Sequence, residues 1–272
     1  MTRILFVASL AAVLMSCDHA RPESTGVIPL SIRPVLNQQL FETGIRYQNL
    51  QGRQFQFDNL SLYLSELTLI HQDGTEILVK SADQEEAVLL FDFARGELYG
   101  ATGEKSANGA LLTSPFDVPA GTYQGIKFTL GVPRSLNGDF DPVTYPIDHP
   151  LSEQRGAFWT WNSGYIFLKI DGQIDNSQSA NGQSLDGSIT YHTGLDTLIR
   201  TVSFLDPQHT FSIEAGEIPT EELRLTFDIS KLFYLEGDTL DMLSQNLTHT
   251  TNDFDLAETI MTNLATHALT LE

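Results

Sequence analysis

The feature that most constrains this chain is a period-two alternation of apolar residues within short segments. In the stretch NLSLYLSELTLI, Leu60, Leu62 and Leu64 occupy every second position. Such alternation places apolar side chains on one face of a half-buried β-strand. The phase slips at Ser65-Glu66 before the alternation resumes, which predicts a β-bulge at that point.

The same kind of segment recurs along the chain, separated by Gly, Pro, Asn and Asp. Short aromatic and β-branched segments with such breaks predict an antiparallel β-sandwich of immunoglobulin or jelly-roll type, and they disfavour a βαβ fold. A Gly/Ala/Ser-rich stretch over 95–118 predicts a long loop. Gln51-Gly52 and Asp73-Gly74 predict turns at either end of the first strand unit. The further strand candidates are 87–93, 122–130, 164–171, 188–192, 199–205 and 222–230.

One helix is expected, near the C-terminus. Leu256, Ile260 and Leu264 recur at helical spacing behind Asp253, a residue type that caps helix N-termini. We therefore predict an amphipathic helix over 253–269, packed on the sandwich.

The N-terminus predicts an extracytoplasmic location. An apolar run over 4–14 follows Arg3, and it is too short to span a bilayer but suits a signal peptide. It ends in Leu-Met-Ser-Cys, which resembles a lipobox; the alternative is an ordinary secretory signal with a chance cysteine. We predict a signal peptide over 1–16, lipidation at Cys17, a tether over 17–27 and one domain over 28–272. The protein would then lie in the cell envelope, at the periplasmic face or the outer-membrane surface.

Charge and motifs exclude several functions. The chain has 15 basic and 35 acidic residues, a net charge of −20, so nucleic acid is not expected as a partner. It contains no G-x-S-x-G or H-E-x-x-H motif, and its single cysteine is the predicted lipidation site. An enzyme is therefore not expected.

The middle of the chain holds the residues with metal-binding chemistry. Trp159 and Trp161 alternate in FWTWNSGY, which predicts that both indoles share one strand face; the alternative is that they fill the core. His192 ends a strand in YHTG. Imidazole is the commonest metal ligand. The alternative is that a lone histidine is only a hydrogen-bonded residue of the core.

An acidic loop offers a second, weaker possibility. Asn137, Asp139 and Asp141 follow the strand that ends in Gly-Val-Pro. Alternating carboxylates on a loop suit calcium. The alternative is a solvated turn in which the aspartates bind their own backbone.

Several of these segments, taken in order, resemble the MbnP-like family of copper-binding proteins, to which MopE-like surface copper proteins are related. The resemblance rests on VPAGTYQGIKFTLGVPRSLNGDFDP (118–142), FWTWNSGYIFLKIDG (158–172), YHTG (191–194) and IRYQNLQGRQFQFDNLSLYLSELTL (45–69). It implies a β-rich extracytoplasmic domain that binds copper, in copper acquisition or homeostasis. The alternative from a different class is a β-sandwich surface lipoprotein without metal, acting as a structural or adhesive module.

The resemblance also implies site residues and a partner. In the family one tryptophan is oxidised to kynurenine, which joins histidines at the metal, and a diheme cytochrome-c-peroxidase-like partner performs the oxidation. Carried onto this chain, Trp159 or Trp161 is the oxidised position, with Trp159 preferred, and His192 is a copper ligand. Many members carry Asn-His where this chain has Asn137-Gly138, and a histidine would be expected two residues after the modified tryptophan, where this chain has Trp161. His149, in the intervening loop, is a candidate to substitute.

Overall fold

The computed structural model describes residues 25–79, 88–100, 112–138, 141–159, 164–216, 222–235 and 237–272. Strand β1 begins at Thr25, ahead of the domain start expected at 28. The predicted signal peptide and lipidated Cys17 lie outside the described residues. Within them, none of the helical segments has the length and apolar character that a membrane crossing requires.

The described residues form a β-sandwich with a large sheet and a small sheet. The strands are β1 Thr25–Leu36, β2 Gln39–Leu40, β3 Arg46–Gln48, β4 Gln54–His71, β5 Glu76–Leu78, β6 Val88–Asp92, β7 Glu97–Tyr99, β8 Leu112–Pro119, β9 Gly121–Leu130, β10 Ile166–Ile174, β11 Gly187–Gly194, β12 Arg200–Leu205, β13 Phe211–Ile213, β14 Leu223–Asp228, β15 Tyr234–Leu235, β16 Asp238–Thr239, β17 Leu247–Thr248 and β18 Leu269–Leu271. The small sheet runs in the order β18-β14-β1-β2, with β8 also paired to β1. The large sheet runs in the order β12-β9-β4-β10-β11-β17, and β13 also pairs with β9.

The long strand β4 is the centre of the large sheet, and it confirms the predicted bulge. Leu60, Leu62 and Leu64 are fully buried. Glu66 has a φ of 52°, and the register of β4 against β9 shifts between Ser65 and Thr68. One residue outside the alternation turns the strand there, so its apolar side chains keep facing the core on both sides of the bulge.

The sandwich was predicted as antiparallel, but its sheets are mixed. Strand β1 pairs with β14 in parallel over Leu30–Val35, and β11 pairs with β17 in parallel at Thr190 and Tyr191. Partners so distant in sequence can meet in either direction, because no tight hairpin connects them.

The prediction of one loop over 95–118 is wrong at both ends. Residues 97–99 form β7 and residues 112–119 form β8, which pairs with β1 from Thr25 to Ile32. Strand β8 has the sequence LTSPFDVP, and its two prolines weaken the strand signal although Phe116 and Val118 alternate and are buried.

The C-terminal helix is present over nearly the predicted range, but its last part is π-helical. Helix α1 covers Phe254–Asn263, and Asp253 caps it by accepting a hydrogen bond from the N–H of Leu256. A π-helical turn over Leu264–Ala268 follows, and the chain then enters β18. Leu256, Ile260 and Leu264 are buried, as the spacing predicts.

Candidate metal centre

His192 lies on β11 and is held by a carboxylate from the neighbouring strand. Its backbone is paired with Lys169 of β10, and its Nε2 lies 2.7 Å from Oδ1 of Asp171. The His192 side chain is only 12% exposed. The predicted candidate is therefore a largely covered, partnered histidine near the edge of the large sheet, at a position that alternates with the buried Tyr191 and Thr193.

The environment of Asp171 determines which nitrogen of His192 is available. Burial alone would raise the pKa of Asp171, but the hydrogen bond and charge of His192, with Lys169 and Asn59, outweigh it and hold the pKa below its usual range. An ionised carboxylate can only accept, so Nε2 of His192 carries the proton and donates it. When the ring that donates in this way is neutral, Nδ1 has a free lone pair. This atom is buried and has no hydrogen-bond partner within the described residues.

A second histidine, which the sequence did not indicate, packs against the ring of His192. The ring of His249 approaches that of His192 edge to face, with 5.1 Å between the centroids. Burial lowers the pKa of His249, the proximity of His192 lowers it further, and Asp171 opposes both effects. The unprotonated form that can bind a metal is therefore favoured.

His249 is brought to β11 by a short turn that follows β17. The hydroxyl of Thr250 donates to the carbonyl oxygen of His192 and accepts from the N–H of Gly194, both at 3.0 Å. Thr250 is fully buried and adopts a φ of 64°, in the left-handed region that a β-branched residue rarely enters. The Oδ1 of Asn252 accepts from the N–H of His249. These contacts tie the two histidine backbones together.

Trp159 packs against the same end of β11. Its side chain is 1% exposed, as in the alternative that placed the indoles in the core. A Cβ on Gly194 would lie 2.5 Å from Cζ3 of Trp159, so the ring occupies the space that this glycine leaves open. The indole Nε1 is buried and has no hydrogen-bond partner among the described residues. Trp161 lies outside the described residues.

The acidic loop has a structural role in its described part. Asn137 accepts a hydrogen bond from the N–H of Tyr165 and donates to Asp196, each at 2.8 Å, and so ties its loop to two others. Asp141 caps the short helical turn after it by accepting from the N–H of Val143, as the solvated-turn alternative predicts. Asp139 lies outside the described residues.

His149 is held within its own loop. Its ring stacks on Tyr145 with 4.2 Å between the centroids, and its Nδ1 accepts from the N–H of Leu151. Burial lowers its pKa, with Asp148 opposing. A metal-binding role for His149 stays a prediction.

The potential metal ligands at this site are the imidazole nitrogens of His192 and His249. No group of three or more His, Cys, Asp or Glu side chains suited to a metal ion occurs in the described ranges. The site instead offers a pair of imidazoles, one of them with a buried unpartnered nitrogen. Imidazole suits copper in either oxidation state, whereas calcium requires six or more oxygen ligands.

Comparison with known proteins assigns the chain to a family. A family model described as MbnP matches residues 25–260. The fold is similar to the solved structure of MbnP from Methylosinus trichosporium, with a TM-score of 0.50 and 18% identity over 76% of this chain and 77% of that chain. A comparison with curated proteins gave no match.

Proposed function

The chain belongs to the MbnP family, and on that premise we propose that it binds copper through His192 and His249. The observation that carries this proposal is that Nδ1 of His192 is buried without a hydrogen-bond partner among the described residues, on a ring that contacts the ring of His249 edge to face. A buried nitrogen without a partner costs free energy that a bound ligand would recover.

Asp171 would orient the site without touching the metal. Metal-binding histidines commonly donate their other ring N–H to a carboxylate, which fixes the tautomer and makes the ligand more basic. Asp171 stands in that position toward His192. Copper, when bound, would supply a redox-active or electron-accepting centre, and the chain's contribution is to hold two imidazoles close together.

Two imidazoles alone bind weakly, so a further donor is required. We propose Trp159 as the source, after its oxidation to kynurenine by a diheme cytochrome-c-peroxidase-like partner that consumes hydrogen peroxide. Two peroxide molecules would transfer one oxygen atom each to the indole C2 and C3 as the bond between them breaks, leaving two waters. Hydrolysis then releases formate and gives kynurenine. The support for this choice is that the buried indole of Trp159 packs against Gly194, and Gly194 follows His192 by two residues in the chain.

The setting proposed for this site is the cell envelope. Cys17 would carry the lipid, and the domain would act in copper acquisition or homeostasis as a binding protein and not as an enzyme. The support is the apolar run ending in Leu-Met-Ser-Cys and the lack of hydrolase motifs in the sequence.

Intact mass and metal analysis of the full chain, purified from its native host, tests these proposals together. We expect about one copper per chain, a mass gain matching conversion of one tryptophan to kynurenine, and an N-terminus at a lipid-bearing Cys17. An unlipidated N-terminus contradicts the anchor alone. Unmodified tryptophans together with bound copper contradict the kynurenine step alone.

Copper titration of variants then tests the ligands. His192→Ala and His249→Ala should each weaken copper binding by roughly tenfold or more, because each removes one of few ligands. His209→Ala is the matched control, since His209 also pairs with an aspartate but is 83% exposed. Equal copper affinity in all three variants would remove His192 and His249 from the site.

A further inference from the structure

A cavity lies at the other edge of the large sheet from the histidine pair. It has a volume of about 660 Å³ and opens between β12 and β13 of the large sheet and β14 and β18 of the small sheet. Strands β9, β4 and β10 separate β12 from β11, which carries His192. We refer to this cavity as the edge cleft. Because of the separation, it is independent of the proposed copper site.

The interior of the edge cleft is apolar and contributed by both sheets. Phe204 and Phe211 are only half-buried, and Leu205 is 55% exposed. The volume lies within the range of about 300–1,000 Å³ typical of small-molecule sites. The apolar lining consists of Ile28, Phe204, Leu205, Phe211, Leu223 and Leu271.

The charged residues of the edge cleft are mostly acidic. Asp206, Glu222 and Glu272 line it together with His209, and the described lining includes no Lys or Arg. Arg224, from outside the lining, contacts Glu222 at 2.7 Å and Glu272 at 3.8 Å. One guanidinium thus faces two carboxylates, and the third carboxylate, Asp206, contacts His209. The cleft therefore keeps a negative potential.

From this combination we infer that the edge cleft binds a small organic cation with an apolar body. The aromatic and aliphatic lining would bury the apolar body, and phenyl faces also attract cations. The carboxylates would favour positive charge and disfavour an anion of the same shape, because like charges close together repel each other. A neutral apolar molecule would gain only the first of these two contributions.

Two ions of nearly identical shape and opposite charge provide the test. Isothermal titration calorimetry of the full chain with tetraphenylphosphonium should show saturable binding, and tetraphenylborate should bind at least about tenfold more weakly. Equal affinity for the two ions would overturn the charge selection. Binding of neither ion would overturn the site.

Variants locate the binding. Leu205→Arg places a cation on the exposed lining with little loss of core packing, and it should lower tetraphenylphosphonium affinity by about tenfold or more. Leu50→Arg is the control, because Leu50 is 69% exposed and outside the lining. Equal binding by both variants would place the site elsewhere.

If Leu205→Arg does not fold, Asp206→Asn replaces it, and unchanged affinity for tetraphenylphosphonium in that variant would contradict the inference. His192→Ala should bind the cation normally, so this test and the copper test fail independently.

Discussion

Two regions of this molecule contain an aspartate–histidine pair of nearly the same length. On the β10–β11 side, Nε2 of His192 lies 2.7 Å from Asp171, and on the β12–β13 side, Nδ1 of His209 lies 2.6 Å from Asp206. The side chains are 12% and 33% exposed in the first pair and 83% and 57% exposed in the second. Distance therefore does not distinguish the two pairs, but burial does.

The difference in burial has a chemical consequence. Water screens the His209–Asp206 pair, and an exposed pair of this kind contributes little to stability. At His192 water is largely excluded, so the unpartnered Nδ1 and the adjacent ring of His249 are held in place without competing solvent. Only the buried pair is preorganised for a ligand.

The largest predicted difference between the two regions is steric. Gly194→Ala would place a Cβ 2.4 Å from the carbonyl oxygen of Tyr165 and 2.5 Å from Trp159, so it should lower the free energy of unfolding by about 3 kcal/mol. Gly216→Ala, near β13, would place a Cβ that meets no atom of the described residues within 4 Å. Only the φ of +72° opposes it, so the cost should be about 1 kcal/mol. Urea unfolding measures both values. Equal losses would show that the Trp159 region can relax.

The next prediction concerns the two aspartates. Asp171→Ala removes the hydrogen bond to a largely buried histidine and should lower the free energy of unfolding by about 1–2 kcal/mol. It should also weaken copper binding by roughly 10–100-fold if Asp171 orients His192. Asp206→Ala should change neither quantity measurably. Copper titration and urea unfolding of the two variants check this, and a loss of affinity in Asp206→Ala would contradict it.

The smallest predicted effect is a dependence of stability on pH. The pKa values of His249 and His149 are lowered from the ordinary 6.5, by burial in both cases and by His192 in the first. As the pH falls below about 7, the unfolded chain therefore takes up protons before the folded chain does. The free energy of unfolding should therefore be highest above pH 7. It should decline as the pH falls through 6.5 toward the lowered pKa values of the two folded-state histidines.

Chemical unfolding at a series of pH values from 7 to 5, without metal, measures this decline. His249→Gln should flatten it, because glutamine does not titrate in this range. An unchanged slope in that variant would show that His249 is not desolvated in the folded state.

The sequence predicted the fold class well because period-two alternation acts locally. The bulge at Glu66, the turn at Gly74 and the N-cap at Asp253 are all present, and each depends on only a few neighbouring residues. The β-sandwich was predicted, but its parallel strand pairs and the strand β8 within 95–118 were not, because both concern strand partners distant in the chain.

The residues of the candidate site also differ in whether the sequence indicated them. His192 and Trp159 were identifiable from sequence, since they lie in ordered motifs of residue types with metal or redox chemistry. Asp171 and His249 were not singled out. Asp171 is an ordinary charged residue on a strand, and nothing around His249 distinguishes it from a surface histidine. A two-residue strand, β17, pairs in parallel with β11 and brings His249 to His192.

The sequence by itself determined an all-β domain with a capped C-terminal helix, an acidic surface and a short set of candidate ligands. Side-chain period, turn residues and net charge are properties that neighbouring residues fix among themselves. Only the tertiary structure decided which histidines meet, which carboxylate is desolvated and which cavity opens between the sheet edges. Those outcomes depend on contacts between residues far apart in the chain, and burial converts the same His–Asp pair into a different chemical environment.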